Sequence, residues 1–583
     1  MKRNAFMTLL LTTALLCGAL IGCTSQTSGE PVSPQMPADG QLSPPGTGGT
    51  GDMAGPSGMG GPGGMGGPGG MGGPDGMGAP GNMGGPGGMA GFPGTSGNLS
   101  VSDIDVTISE LDVDDMFTKK DRTTDYEEAD VIPIYLADNA SACDFDGVTI
   151  ANNTVTITDE GTYLISGSLT DGQLAVSVDA TEDVRLILDG VSINSQSSAA
   201  LYIKEADKVI VTLAPDSTNS LQNSGKFVTI DENDIDGAIF SKGDLTFNGS
   251  GHLTVSSESG HGVVSKDDLV FIDGNYDITS TFTAVSGKDS IRIADGTFII
   301  QSGKDALHSE HDDTDKGFIY IEDGQFDITG KSDGLDASGT LQINGGNISI
   351  NAGDDAFHSN GDLIINDGGV TISNSYEGLE GQTVTINGGT ISLNSTDDGI
   401  NAAGGNDQSG FLGGKEDIFA SDANSFIAIN DGVINIIAKG DGIDSNGAVI
   451  VTGGETTISG PENSGNASLD YGTGAVITGG TFLAAGNGGM AVNFGTGSTQ
   501  GAMMVSLSET LPAGASQSET TQPDNSTIFI KDASGKELLH FTPQISYNCV
   551  LVSTPDIHEG ESYTLTAGGQ DYTVEMSSIT YRK

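Results

Sequence analysis

Residues 334–352, GLDASGTLQINGGNISINA, and residues 356–374, AFHSNGDLIINDGGVTISN, are two copies of one unit. Each opens on a small residue and holds short stretches in which apolar and polar residues alternate, separated by glycine-containing turns. Alternation with a period of two puts the apolar side chains of a strand on one face and the polar ones on the other. Leu341-Gln342-Ile343-Asn344 shows the pattern in four residues. The unit recurs outward in both directions as 262–280 (GVVSKDDLVFIDGNYDITS), 284–302 (AVSGKDSIRIADGTFIIQS), 306–330 (ALHSEHDDTDKGFIYIEDGQFDITG) and 378–395 (GLEGQTVTINGGTISLNS). Aligning the copies brings Gly262, Ala284, Ala306, Gly334, Ala356, Gly378 and Gly399 into register at separations of 22, 22, 28, 22, 22 and 21 residues. A 22-residue unit of three short strands cannot bury its apolar face alone, but it can do so by stacking on its neighbours. The expected fold is therefore all-β, a right-handed parallel β-helix of about 22 residues per coil.

The rest of the chain is placed relative to this repeat. Residues 101–230 read as an N-terminal β region and first coils, and 231–497 as the parallel β-helix with its acidic ridge. The interval from Gly399 to Gly442 is 43 residues, and it places an inserted loop at 403–424 beside that ridge. After 498 the period is lost, and residues 498–583 read as a small C-terminal β cap with turns at Asp532-Ala533-Ser534-Gly535 and Gly568-Gly569. Solenoids need such caps because an open end exposes unpaired strand edges.

Ahead of the repeat, residues 1–22 have the form of an export signal, with Lys2 and Arg3 before an apolar run. Leu20-Ile21-Gly22-Cys23 resembles the bacterial lipobox, which implies cleavage before Cys23 and lipidation of its sulfur. Residues 23–100 are rich in Gly, Pro and Met, with a methionine every six residues from Met53 to Met89. Such a stretch cannot bury a core and reads as a flexible tether with a reach of roughly 50 Å. The expected location is the outer face of the bacterial cell membrane, reached through the lipid alone. Export permits a disulfide between Cys143 and Cys549, and two buried thiols are the alternative.

Charge narrows the function. With 78 acidic and 22 basic residues the formal charge is -56, which excludes nucleic acid as a partner and favours divalent cations. The acid residues are not scattered. Each coil opens on one formula: an acidic residue, a small residue, an apolar residue and then a polar one. Stacking at about 4.8 Å places Asp305, Asp333, Asp355, Glu377, Asp398 and Asp441 in one column, and His308, Asp336, His358, Glu380, Asn401 and Asp444 in a second. Asp354 and Asp397 stand just ahead of the first. Like charges at that spacing repel, and Ca²⁺, a hard cation with a large and flexible oxygen shell, is the expected relief. His308 and His358 are expected as polar members of the ridge; two histidines among hard oxygen ligands argue against Zn²⁺.

The segments GTYLISGSLTDGQLAVSV and VRLILDGVSINSQSSAALYIKEADKVIVTLA, the KDALHSE and SDGLDAS corners and the terminal KDASGKELLHFTPQISYNCVLVSTPDI resemble a family of bacterial and archaeal surface β-helix domains. The resemblance runs from about Tyr126 to Met576. It implies binding of cellulose and acidic sugars such as polygalacturonate, bound calcium, a fold related to pectate lyases, and no established catalysis. The expected function is that of a lipid-anchored, monomeric polysaccharide-binding protein with no catalytic residues. Two alternatives stand beside it. One is a structural adhesin or envelope spacer; the other is a calcium-dependent polysaccharide lyase, for which Lys266, Lys288 and Lys304 are the candidate bases.

Overall fold

The computed structural model describes residues 110–114, 116–402, 422–507 and 520–583. The signal segment 1–22, Cys23, the tether 23–100 and most of the inserted loop 403–424 lie outside them. Strands alternate with tight turns to form a parallel β-helix of about thirteen turns. Among the described residues the helical elements are one turn at Lys119–Arg122 and a 3-10 turn at Glu128–Asp130, and no helix is long and apolar enough to cross a membrane.

Each coil contributes a strand to three faces. The first face runs through Val285–Gly287, Leu307–Ser309, Leu335–Ala337 and Ile400–Ala402. The second includes Ser290–Ile293, Phe318–Ile321 and Leu341–Ile343, and the third Thr297–Gln301, Gln325–Thr329 and Asn347–Asn351. The register matches the sequence alignment coil by coil, with Val285 on Leu307, Leu307 on Leu335, Leu335 on Phe357, Phe357 on Leu379, Leu379 on Ile400 and Ile400 on Ile443. All but Val285 in that inward column are fully buried, and Val285 is 1% exposed. The six extra residues of the 306–330 unit leave the register unbroken, as expected of a surface insertion.

Side chains stack as like on like inside the helix. Phe298 lies on Tyr276 and on Phe326, with ring centroids 4.9 Å apart in both pairs. Above Phe326 the same column becomes Ile348, Val370, Ile391 and Ile434. At the turn from the second face to the third, Asn366 donates to Asn344, Asn387 to Asn366 and Asn430 to Asn387, at 2.8, 2.7 and 2.8 Å. This asparagine ladder explains the recurrent Asn-Gly-Gly and Asn-Asp-Gly turns. The third residue of each, a glycine, adopts a positive φ, as at Gly346 (86°) and Gly368 (106°), which a side chain would strain.

The C-terminal cap is present. Cys549–Ser553 pairs antiparallel with Thr481–Gly486 and with Ala502–Ser506, ending the parallel stack. A four-stranded antiparallel sheet, Glu537–Phe541, Ile528–Asp532, Ser562–Ala567 and Gln570–Glu575 in spatial order, packs its own core around Tyr563, Leu565 and Val574. Both expected turns fall between its strands. Cys143 and Cys549 are not joined in a disulfide.

The start of the described chain departs from simple coils. Residues 111–114 and 116–122 cross the outside of the second face as a strap. Leu111 N–H donates to Gln342 at 2.9 Å, Phe117 meets Tyr320, and the Arg292 guanidinium donates to Met116 O. The buried Asp121 closes a capping box with Thr118 and receives Lys208 Nζ at 3.0 Å and Thr246 Oγ1 at 2.9 Å.

Candidate functional site: a stacked acidic ridge

Both columns expected from sequence exist. His308 pairs in register with Asp336, Asp336 with His358, His358 with Glu380, Glu380 with Asn401 and Asn401 with Asp444. In the other column the carboxylates also reach along the helix axis. Asp355 N–H donates to Asp333 Oδ1 at 2.9 Å, Glu377 N–H to Asp355 Oδ1 at 3.0 Å, and Asp441 N–H to Asp398 Oδ1. One oxygen of each of these acids is therefore occupied by the backbone of the next coil, and the other remains for a neighbour or a ligand. This use of the column was not legible in the sequence.

The side chains gather into four clusters whose ligand atoms lie within 4.8 Å of one another: Asp305 with His308 and Asp336, Asp333 with Asp354 and Asp355, Asp355 with His358 and Glu380, and Asp398 with Asp441 and Asp444. Asp397 lies outside all four. Glu377 instead accepts a hydrogen bond from Asn401 Nδ2 at 2.7 Å.

Two of the clusters contain their own cation. His308 Nδ1 lies 2.6 Å from Asp336 Oδ2 and 3.9 Å from Asp305 Oδ2. Burial alone would lower its pKa, but the Asp336 hydrogen bond and the surrounding carboxylates outweigh burial and raise it to about 9. His358 Nδ1 lies 2.7 Å from Glu380 Oε2 and 3.6 Å from Asp355 Oδ2, all three residues being at most 2% exposed. Against the same opposing burial, Asp355 and Glu380 raise its pKa to about 12. The surrounding carboxylates favour the imidazolium form of both, and in that form each is a counter-ion inside its cluster.

Higher on the ridge no imidazole is present. Burial first, and then the neighbouring carboxylates, push Glu377 and Asp398 well above the ordinary carboxylate range, Asp441 to about 8 and Asp444 to about 7. Burial and Asp355 raise Asp333 in the same way. Asn401 is 3% exposed, and its Oδ1 has no hydrogen-bond partner although its amide nitrogen holds Glu377. Excess carboxylate charge beside an orphaned amide oxygen suits a hard cation that takes oxygen ligands. The column extends one residue beyond the sequence reading: Asp470 N–H donates to Ile443 O, and burial raises the Asp470 pKa. Ser468-Leu469-Asp470 repeats the Gly442-Ile443-Asp444 corner in small, apolar and acidic order, but at a spacing of 26 residues that hid it.

Fold and ridge together define a parallel β-helix with a one-sided array of carboxylates. Residues 151–423 match the family described as carbohydrate-binding domain-containing protein. It is 34% identical over 143 residues, 24% of this chain, to a protein of Acetivibrio thermocellus described in the same words, and spans half the length of that relative. It is also similar to a solved structure titled as the polysaccharide lyase-like protein from C. thermocellum, gadolinium derivative, with 30% identity, 40% of this chain and 96% of the other covered, and a TM-score of 0.39. The matched segment contains the ridge from Asp305 to Asn401; Asp441 and Asp444 lie beyond it.

Proposed function

We propose that the chain is a surface polysaccharide-binding protein, held to the outer face of the bacterial membrane by a lipid on Cys23, that grips acidic glycans through Ca²⁺ seated on the upper ridge. The observation that carries this reading is the contrast in charge compensation. Two of the three lower clusters hold an imidazolium and the third, Asp333 with Asp354 and Asp355, shares Asp355 with one of them, whereas Asp398, Asp441 and Asp444 crowd together with none. Those three, with the free oxygen of Asn401 and the nearby Glu377, would hold the ion. A bound cation with open coordination positions then takes a uronate carboxylate, which is how an acidic protein can hold an acidic polymer. The family match supports a carbohydrate partner. The reading has the protein act as a monomer and without catalysis.

The test is calorimetric titration of the protein with polygalacturonate oligomers in calcium and again in excess chelator, with product absorbance followed in parallel. Binding in calcium alone, without unsaturated products, is expected. Unsaturated products would replace binding by lyase chemistry, and absence of binding in both conditions would leave the structural spacer in its place.

A further inference from the structure

The third face carries a different chemistry from the ridge. Ser349, Thr371, Ser392, Asn435 and Thr457 pair in register on five successive coils and point outward. The first four are exposed and Thr457 is half-buried. At about 4.8 Å per strand the run spans roughly 19 Å. It contains only hydroxyl and amide groups, in a chain whose formal charge is -56. Asn435 Oδ1 accepts from Thr457 Oγ1 at 2.7 Å, which fixes the amide and leaves its nitrogen directed elsewhere.

The track does not run off the end of the solenoid. The cap chain at 540–544 crosses it and is pinned there, with Gln544 N–H donating to Ser459 Oγ at 3.0 Å. Between cap and face lies a cleft of about 470 Å³ with Ser392, Asn435 and Thr457 on one side and Phe541 and Gln544 on the other. Phe541 rests partly on the core of the cap and is half-buried. Glu455 and His540 are the ionisable groups of the lining, and His540 Nδ1 is already engaged by Glu537 at 3.0 Å. A concave site that combines a few convergent amides and hydroxyls with one aromatic wall suits a small polar ligand. An aromatic face takes the C–H side of a sugar ring, and the amides and hydroxyls take its hydroxyl groups. A polyanion finds no counter-charge here.

We propose that this cleft, together with the uncharged track leading into it, is a second glycan site that holds a neutral oligosaccharide chain, its terminal ring against Phe541 and its hydroxyls on Asn435, Thr457 and Gln544. The proposal rests on the chain being a polysaccharide binder and adds to that reading a second site on a different face, where no metal is required.

The experiment is calorimetric titration of the full chain and of its Phe541→Ala and Asn435→Ala variants with cello-, xylo-, malto- and mannohexaose, and with polygalacturonate oligomers in calcium, after circular dichroism has shown both variants folded. The expected result is that at least one neutral hexasaccharide binds the parent chain in chelator as well as in calcium. Its affinity falls about tenfold or more in each variant, while polygalacturonate affinity is unchanged. Equal affinity of parent and variants for the neutral sugar, or binding of polygalacturonate alone by the parent, overturns the cleft and leaves the ridge reading intact. A parent chain that binds none of the five probes overturns both.

Discussion

Between Asp305 and Glu380 the ridge contains two imidazoles, and between Asp398 and Asp470 it contains none. Backbone, register and corner formula are the same in both halves, so the difference lies in how the stacked negative charge is offset. The lower half builds a counter-ion into the chain at His308 and at His358. In the upper half, among the described residues, Asp398, Asp441 and Asp444 meet backbone amides and other carboxylates, and protons or an outside cation would offset their charge. One solenoid thus offers the same column as a rigid support and as a ligand site.

The largest effect is expected from His358→Ala. It leaves Asp355 and Glu380 buried together without their cation, and removing one partner from a buried charge pair costs about 3–5 kcal/mol. Urea denaturation should show that loss in chelator, with calcium recovering part of it if the emptied cluster accepts the ion as the upper half is proposed to. A loss below about 1 kcal/mol would mean that the lower half is not held by imidazolium, and the contrast between the halves would fail.

Next in size is the response to calcium itself. A cation present at about 100 times its Kd stabilises the folded chain by roughly 2.7 kcal/mol. Chelation should therefore lower the denaturation midpoint of the parent, and Asp398→Asn with Asp441→Asn should remove that response without removing the fold. A double variant that still answers to calcium would move the ion to the Asp333, Asp354 and Asp355 cluster.

Asp441 and Asp444 in the upper half titrate in a different window from His308 in the lower half. In the calcium-free protein the folded pKa values of Asp444 and Asp441 are raised to about 7 and about 8 by burial and by neighbouring carboxylates, above an unfolded value near 4. Their contribution is fully present below about pH 4 and is lost as pH rises through 7 to 8. His308 has a folded pKa of about 9 against an unfolded value near 6.5, so its contribution is present below about pH 6.5 and is lost as pH rises through about 9. Thermal melts between pH 4 and 10 should resolve the two losses. Asp441→Asn with Asp444→Asn should reduce the earlier loss and leave the later one, as should calcium; a change in both would show that the halves are coupled.

Much of this was legible in the sequence because a β-helix turns a 22-residue spacing directly into a column in space. Gly262 through Gly399 fixed the register, and the corner formula fixed both ridge columns residue by residue. What the sequence could not show is direction and competition. That His358 serves as a buried counter-ion depends on Nδ1 facing Glu380, which rotamer and burial decide. That Asp355 hands one oxygen to the Glu377 amide depends on the pitch between coils. Asp470 escaped because its corner arrives 26 residues after Asp444, and the strap at 111–114 and 116–122 escaped because its partners, Lys208, Thr246, Arg292 and Gln342, are far away in sequence.

The asparagine ladder gives the smallest expected effect and the control for the others, since it runs through the coils of both halves without touching the ridge. Asn387 donates to Asn366 and accepts from Asn430. Asn387→Ala removes both bonds and leaves one partner donor and one acceptor to find water at the partly exposed turn, a cost of about 1–2 kcal/mol. Because the ladder carries no charge, that cost should be the same in calcium and in chelator, and the same at pH 5 and pH 8. If it instead varied with calcium, the ion would be acting on the spacing of the whole stack rather than on a local cluster, and the calcium response of the upper ridge would have to be read as a property of the solenoid.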